Sequence, residues 1–91
     1  MQTNSQLKAV IWSKNNCVAC GSAKMMLGQL GYTIEERNID GPQWSRIDLL
    51  DKYPQARSVP VIELNDGEFI GNLDTVRKHL DRAKETKVGL S

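Results

Sequence analysis

Cys17 and Cys20 are the only thiols in this chain of 91 residues, and they stand as Cys17-Val18-Ala19-Cys20. Two thiols at this spacing can close a small disulfide and open it again, which is the chemistry of thiol–disulfide exchange. They lie where a short apolar run gives way to a helical pattern. A helix start offers unpaired N–H groups and the positive end of the helix dipole, and both stabilise a thiolate. Cys17, nearer the helix end and solvent, is expected to be the nucleophile. Cys20, one turn in and more buried, is expected to resolve the mixed disulfide. Lys14, three residues before Cys17, adds a positive charge that favours the same thiolate. Side chains three apart on a helix have Cβ atoms about 5–6 Å apart, whereas a disulfide places them near ~3.8 Å. Modest adjustment at a helix start lets the bond form without making it deeply stable.

Other readings of the pair stay open. A zinc site needs about four ligands, and besides these thiols the chain offers only His79, expected on the surface of the last helix. Four thiolates from two chains would meet the ligand count for zinc or an iron–sulfur cluster. Two core cysteines without chemistry are the plainest alternative, against which the strand-to-helix setting and the flanking turn residues argue.

The elements that position the pair alternate along the chain. Lys8-Ala9-Val10-Ile11-Trp12 is apolar, β-branched and aromatic, and predicts a buried strand. Asn15 and Asn16 are turn and cap residues. Ala23, Met26, Leu27 and Leu30 recur on one helical face, and Gly31 caps the end. Tyr32 to Ile39 predicts a strand exposed on one side. Asp40-Gly41-Pro42 predicts a turn with a helix start, and Trp44, Ile47 and Leu50 a short helix that Pro54 stops. Val59-Pro60-Val61-Ile62-Glu63-Leu64 and Glu68-Phe69-Ile70 predict a hairpin about Asn65-Asp66-Gly67. Leu73, Val76, Leu80 and Ala83 predict a final helix. Residues 1–6 and 86–91 read as a loose lead-in and a frayed tail. The order βαβαββα implies a parallel pair crossed by a helix, closed by an antiparallel hairpin. The expected fold is α/β: a four-stranded mixed sheet with three helices, of thioredoxin type.

Composition bounds the function. A chain of 91 residues with 40% hydrophobic content supports one domain, residues 1–91, around one core. A formal net charge of +1, with scattered cations, argues against a nucleic-acid partner. No stretch approaches the roughly 20 apolar residues of a membrane span, and the polar start does not resemble a signal peptide. The expectation is a cytoplasmic, monomeric protein, in which two cysteines are catalytic or metal-binding rather than a structural staple.

With strand, thiol pair, helix and a later Val-Pro in place, the chain resembles glutaredoxins over roughly residues 7 to 84. Ser13-Lys14-Asn15-Asn16-Cys17-Val18-Ala19-Cys20 resembles the family's Ser-Lys-x-x-Cys-Pro-Tyr-Cys segment. Ala56-Arg57-Ser58-Val59-Pro60 resembles its Thr-Val-Pro segment, and Ile70-Gly71-Asn72-Leu73-Asp74-Thr75 its Gly-Gly-x-Asp segment. The resemblance implies a cis peptide bond before Pro60, packed opposite the thiols, with Val59 presenting backbone groups to an extended substrate. It implies glutathione as reducing cosubstrate and no tightly bound cofactor. Lys14 and Arg57 would serve the glycyl end of glutathione, and the helix start at Leu73 and Asp74 the γ-glutamyl end. Protein disulfides and glutathione mixed disulfides would be the substrates.

The sequence departs from that pattern at Ser58, which stands for threonine, and at three further positions. Val18-Ala19 stands in place of Pro-Tyr, and Asn72 in place of a glycine. The Cys-Val-x-Cys form also resembles glutaredoxin-like hydrogen donors of ribonucleotide reductase, which thioredoxin reductase can recycle. Asn72 would crowd the γ-glutamyl pocket if its φ had to be positive. The Cys-Gly-Phe-Ser signature of monothiol relatives is absent, which lowers the case for cluster assembly.

Overall fold

The structure is a computed structural model that describes the backbone of residues 7–90 and the side chains of residues 7–81. Its elements run β1 (Lys8–Ser13), α1 (Val18–Gln29), β2 (Thr33–Asn38), α2 (Arg46–Lys52), β3 (Val61–Leu64), β4 (Phe69–Gly71) and α3 (Leu73–Leu90). The lead-in, the tail and the side chain of Ala83 lie outside the described residues. The strands form one sheet in the order β2-β1-β3-β4. β1 pairs parallel with β2, while β3 pairs antiparallel with both β1 and β4. This is the expected four-stranded mixed sheet with three helices.

β1 is central and buried on both faces, which explains its unbroken apolar run. Alternate side chains point to opposite faces of a strand. Ala9 and Ile11 join Ile62, Leu64, Ala23, Leu27 and Val76 under α1 and α3. Val10 and Trp12 join Ile39 and Leu49 under α2. The thiol-bearing helix thus rests on one side of the sheet and α2 on the other.

α1 ends in a Schellman motif. Leu30 is the C-cap, and Gly31, with φ 95°, is the residue after it. The N–H of Tyr32 donates to Leu27 C=O at 3.0 Å and that of Gly31 to Gly28 C=O at 3.1 Å. The predicted glycine stop holds, one place beyond the cap.

α2 differs from the sequence expectation. It begins at Arg46, after its N-cap Ser45, rather than at Pro42, because Ser45 and Asp48 form a capping box. A cap of this kind is worth about 1 kcal/mol. The spacing of Trp44, Ile47 and Leu50 does not mark the buried face either: Leu49 is the buried residue, and Ile47 is 70% exposed. Trp44 lies before the helix and packs edge-on against Trp12, with ring centroids 5.3 Å apart. Arg37 stacks its guanidinium over both indoles, 5.1 Å from the Trp12 ring and 4.4 Å from the Trp44 ring. The predicted β3 is also shorter than read, starting after Pro60, and Glu68 belongs to the hairpin turn. In that turn Asn65, Asp66 and Gly67 all have positive φ, angles these residue types tolerate best.

β3 carries one buried charge. The Glu63 carboxylate accepts from the Trp12 indole at 3.1 Å and from Lys52 Nζ at 3.2 Å. Burial raises this carboxyl, but hydrogen bonds from Tyr53, Trp12 and Lys52 outweigh it and hold Glu63 below the ordinary glutamate range. Burial, then the neighbouring carboxylate, push the Tyr53 phenol up.

Candidate active site

β1 ends at Ser13, which is fully buried. Its hydroxyl donates to Glu36 on β2 at 2.6 Å, and Glu36 pairs with Lys24 of α1 at 3.0 Å. These contacts tie the strand before the thiols, the neighbouring strand and the thiol-bearing helix together. The Ser13 hydrogen bond, then the Lys24 bond, hold the Glu36 carboxyl below its ordinary value against the opposing effect of burial.

The three-residue loop that follows is pinned to the far end of β2. The Asn15 N–H donates to the Asp40 carboxylate and the Asn38 amide donates to Asn15 Oδ1, both at 3.1 Å. Asn16 turns the chain with φ 56°, the left-handed region that asparagine tolerates well. The sequence reads Asn38 only as a strand residue and Asp40 only as a turn residue; their role in holding this loop comes from the parallel pairing of β1 with β2.

Cys17 is the N-cap of α1, with φ −112° and ψ 103°. Its sulfur accepts the N–H of Cys20 at 3.2 Å. The two cysteines are joined as a disulfide with Cα atoms 5.3 Å apart, inside the range such bonds require. Cys17 is half-buried, Cys20 is 2% exposed, and Val18 between them is 87% exposed. An accessible sulfur at a helix start with a covered sulfur one turn behind it can carry exchange in two steps.

The Val59–Pro60 peptide is cis. Pro60 is buried, and among the described residues no backbone hydrogen bond engages Val59. A pocket of about 80 Å³ is lined by Lys14, Arg57 and Val59 over an apolar floor that includes Ile39 and Leu49. Arg46 also lines it. Sequence reasoning missed this cation, because only the capping box at Ser45 sets where α2 starts and which way Arg46 faces.

Leu73 and Asp74 do not line that pocket. The Leu73 side chain packs against the core under α1 and α3, so it can offer a ligand only its backbone. Asp74 is exposed and pairs with Lys78 at 3.4 Å. Asn72 caps α3: its side chain accepts the Thr75 N–H at 2.9 Å while Thr75 Oγ1 accepts the Asn72 N–H at 2.9 Å. Asn72 is not among the positive-φ residues, so it does not need the angle that would have favoured glycine there. His79 is exposed, as expected, and stacks on Phe69 at 4.1 Å. Among the described residues no group of three His, Cys, Asp or Glu side chains could hold a metal ion, and no helix is long and apolar enough to cross a membrane.

A mixed sheet with a Cys-x-x-Cys disulfide at the start of its first helix and a cis-proline before its third strand defines a thiol oxidoreductase of the thioredoxin fold. A glutaredoxin family model matches residues 9–70, and the chain belongs to the glutaredoxin family. It is 33% identical over 76 residues to an N-acetyl-S-hydroxy-L-cysteine reductase of Bacillus subtilis, covering 81% of this chain and 80% of that one. Its fold is similar to the crystal structure of glutaredoxin 1 from Francisella tularensis complexed with cacodylate. That match has a TM-score of 0.69 and 24% identity, and covers 87% of this chain and 98% of the other.

Proposed function

We propose that this protein is a dithiol oxidoreductase that reduces protein disulfides and glutathione mixed disulfides, with glutathione as its reductant. The Cys17 thiolate attacks one sulfur of the substrate disulfide and expels the other as a thiolate. Cys20 then attacks Cys17 in the mixed disulfide, releasing the reduced substrate and leaving the Cys17–Cys20 disulfide. Two glutathione thiols return the pair to the dithiol and leave as glutathione disulfide. The observation that carries this reading is the position of Cys17 as helix cap, its sulfur bonded to Cys20 and facing the Cys20 N–H. Lys14 and Arg57 would hold the glycyl carboxylate of glutathione, and Val59 would pair with its backbone beside Pro60. The start of α3 at Leu73 and Asp74 would take the γ-glutamyl end. The setting we propose is a reducing cytoplasm and the working form a monomer.

The test compares Cys17→Ser and Cys20→Ser with the unaltered protein on a protein disulfide and on a glutathione mixed disulfide. Cys17→Ser is expected to abolish both reactions. Cys20→Ser is expected to spare the second, which needs one thiol. Full activity in Cys17→Ser overturns the proposal. Supplying either glutathione with glutathione reductase, or thioredoxin reductase alone, separates this reading from a ribonucleotide reductase donor recycled by the latter. A metal-bearing dimer purified without oxygen would instead favour a shared site, an iron–sulfur cluster if it is coloured and zinc if it is colourless.

The similarity to the Bacillus subtilis reductase favours a second substrate class for the same thiols, cysteine sulfenic acids. Cys17 would attack the sulfenic sulfur and its oxygen would leave as water after protonation. Cys20 would then release the reduced cysteine. Stoichiometric loss of two protein thiols per sulfenic acid reduced would support this reading.

A further inference from the structure

The pocket that holds Lys14 and Arg57 contains more positive charge than one carboxylate needs. Lys14 comes from the loop before Cys17, Arg46 from the first residue of α2, and Arg57 from the α2–β3 connection. No acidic side chain lines the pocket. Of the carboxylates near these segments in sequence, Asp40 and Asp48 are engaged by the Asn15 N–H and by the Ser45 cap, and the exposed Asp51 does not line the pocket.

Elsewhere most of the described cations are matched, the exposed Lys8 and Arg77, which do not line this pocket, being the exceptions. Lys24 pairs with Glu36, Arg37 with Glu35, Lys52 with Glu63 and Lys78 with Asp74. Among the described residues Lys14, Arg46 and Arg57 have no such partner. The whole chain carries a formal net charge of only +1, so three unmatched cations around one small pocket are a local feature. They surround an apolar floor, and charges held over low-dielectric walls attract an anion more strongly than the same charges in open water.

We propose that this pocket selects small thiols and disulfides whose recognised end carries two negative charges, such as a pair of neighbouring carboxylates, over those carrying one. The proposal rests on the exchange chemistry assigned to Cys17 and Cys20 and names the substrate class that reaches them. Arg46 is its specificity-determining residue. Arginine suits the role because its planar fork binds a carboxylate through two parallel hydrogen bonds. The apolar floor would hold the short carbon chain between the carboxylates and the sulfur.

The test uses the pre-reduced protein, freed of reductant, in single-turnover reactions with three disulfides. They are the disulfides of mercaptosuccinate (two carboxylates per half), of 3-mercaptopropionate (one) and of 2-mercaptoethanol (none). In each reaction Cys17 and Cys20 are oxidised to their disulfide and two small thiols are released. Each rate is divided by the rate at which dithiothreitol reduces the same disulfide, which removes intrinsic reactivity and like-charge repulsion common to both thiols. The normalised rate for the dicarboxylate is expected to exceed that for the monocarboxylate by up to about five-fold at low salt, the scale of one further exposed ion pair. The preference should shrink as salt is added. Arg46→Gln should bring the ratio to near one. Lys8→Gln, which removes the same charge at the opposite end of β1, should leave it intact. Equal normalised rates for the two anionic disulfides, or an unchanged ratio in Arg46→Gln, overturns the proposal while the exchange chemistry stands. A protein inert to all three disulfides, the neutral one included, overturns the exchange reading and the selectivity with it.

Discussion

The backbone N–H of Cys20 points at the sulfur of Cys17, 3.2 Å away. The side chain that starts α1 is therefore satisfied by its own redox partner's backbone, in the position where a serine or aspartate would otherwise cap the helix. That N–H and the positive end of the α1 dipole both face the Cys17 sulfur.

The first prediction concerns the order in which the reduced thiols react. Cys17 is half-buried and Cys20 is 2% exposed. Iodoacetamide should label Cys17 well before Cys20, by at least about ten-fold given the dependence of thiol reactivity on thiolate character and access. Peptide mass spectrometry after timed quenching reads this directly. Equal labelling would remove the asymmetry on which the two-step mechanism depends.

A second prediction concerns the contact behind the site. Ser13→Ala removes the hydroxyl that donates to Glu36, leaving that carboxylate with Lys24. Glu36 has a 34% exposed side chain and recovers part of its hydration, so the cost is about 1 kcal/mol in denaturant unfolding. In combination with Glu36→Gln the two effects should not add, with a coupling of at least about 0.5 kcal/mol. Strict additivity would show that the contact does not hold the strand, β2 and α1 together.

Acid stability is the third. Glu36 and Glu63 are both held below the ordinary glutamate value of 4.5. The unfolded chain then binds more protons than the folded one in acid. The stability these groups contribute is present above pH 4.5 and lost as pH falls through their lowered folded values. Urea midpoints should fall below pH 4.5 in the unaltered protein, and more gently in Glu63→Gln, which keeps an acceptor for the Trp12 indole. Parallel acid profiles for the two proteins would contradict this assignment.

Two glycines should respond with opposite signs. A Cβ on Gly71 would collide with Thr75 Oγ1 and meet the Phe69 ring at 3.2 Å. Thr75 Oγ1 accepts the Asn72 N–H in the reciprocal cap of α3, so Gly71→Ala should cost about 1–3 kcal/mol. A Cβ on Gly28 meets nothing within 4 Å, and inside α1 Gly28→Ala should stabilise by about 0.5–1 kcal/mol. Thermal unfolding of both variants checks the pair, each kcal/mol being about 4–8 °C in a domain of this size.

Sequence by itself determined the elements and the reactive pair. An apolar run with two-sided burial marked β1, Gly31 marked the end of α1, and Cys17 with Cys20 marked the chemistry. These are local signals, carried by period, backbone freedom and spacing over a few residues. The start of α2 was misplaced because Pro42 and Ser45 both suit a helix start, and only the reciprocal Ser45–Asp48 hydrogen bonds decide between them. With the start misplaced, the buried face of α2 was misread as well, and Arg46 went unnoticed. Tertiary structure alone decided three matters. Parallel pairing of β1 with β2 brought Glu36 to Ser13 and Asp40 to Asn15. Antiparallel pairing of β1 with β3 set Glu63 beside the Trp12 indole. Packing α2 across the sheet gathered Lys14, Arg46 and Arg57 around one pocket. Each joins residues about 11 to 51 positions apart, and although the order of elements implies a parallel pair, no local pattern encodes the register in which distant segments meet.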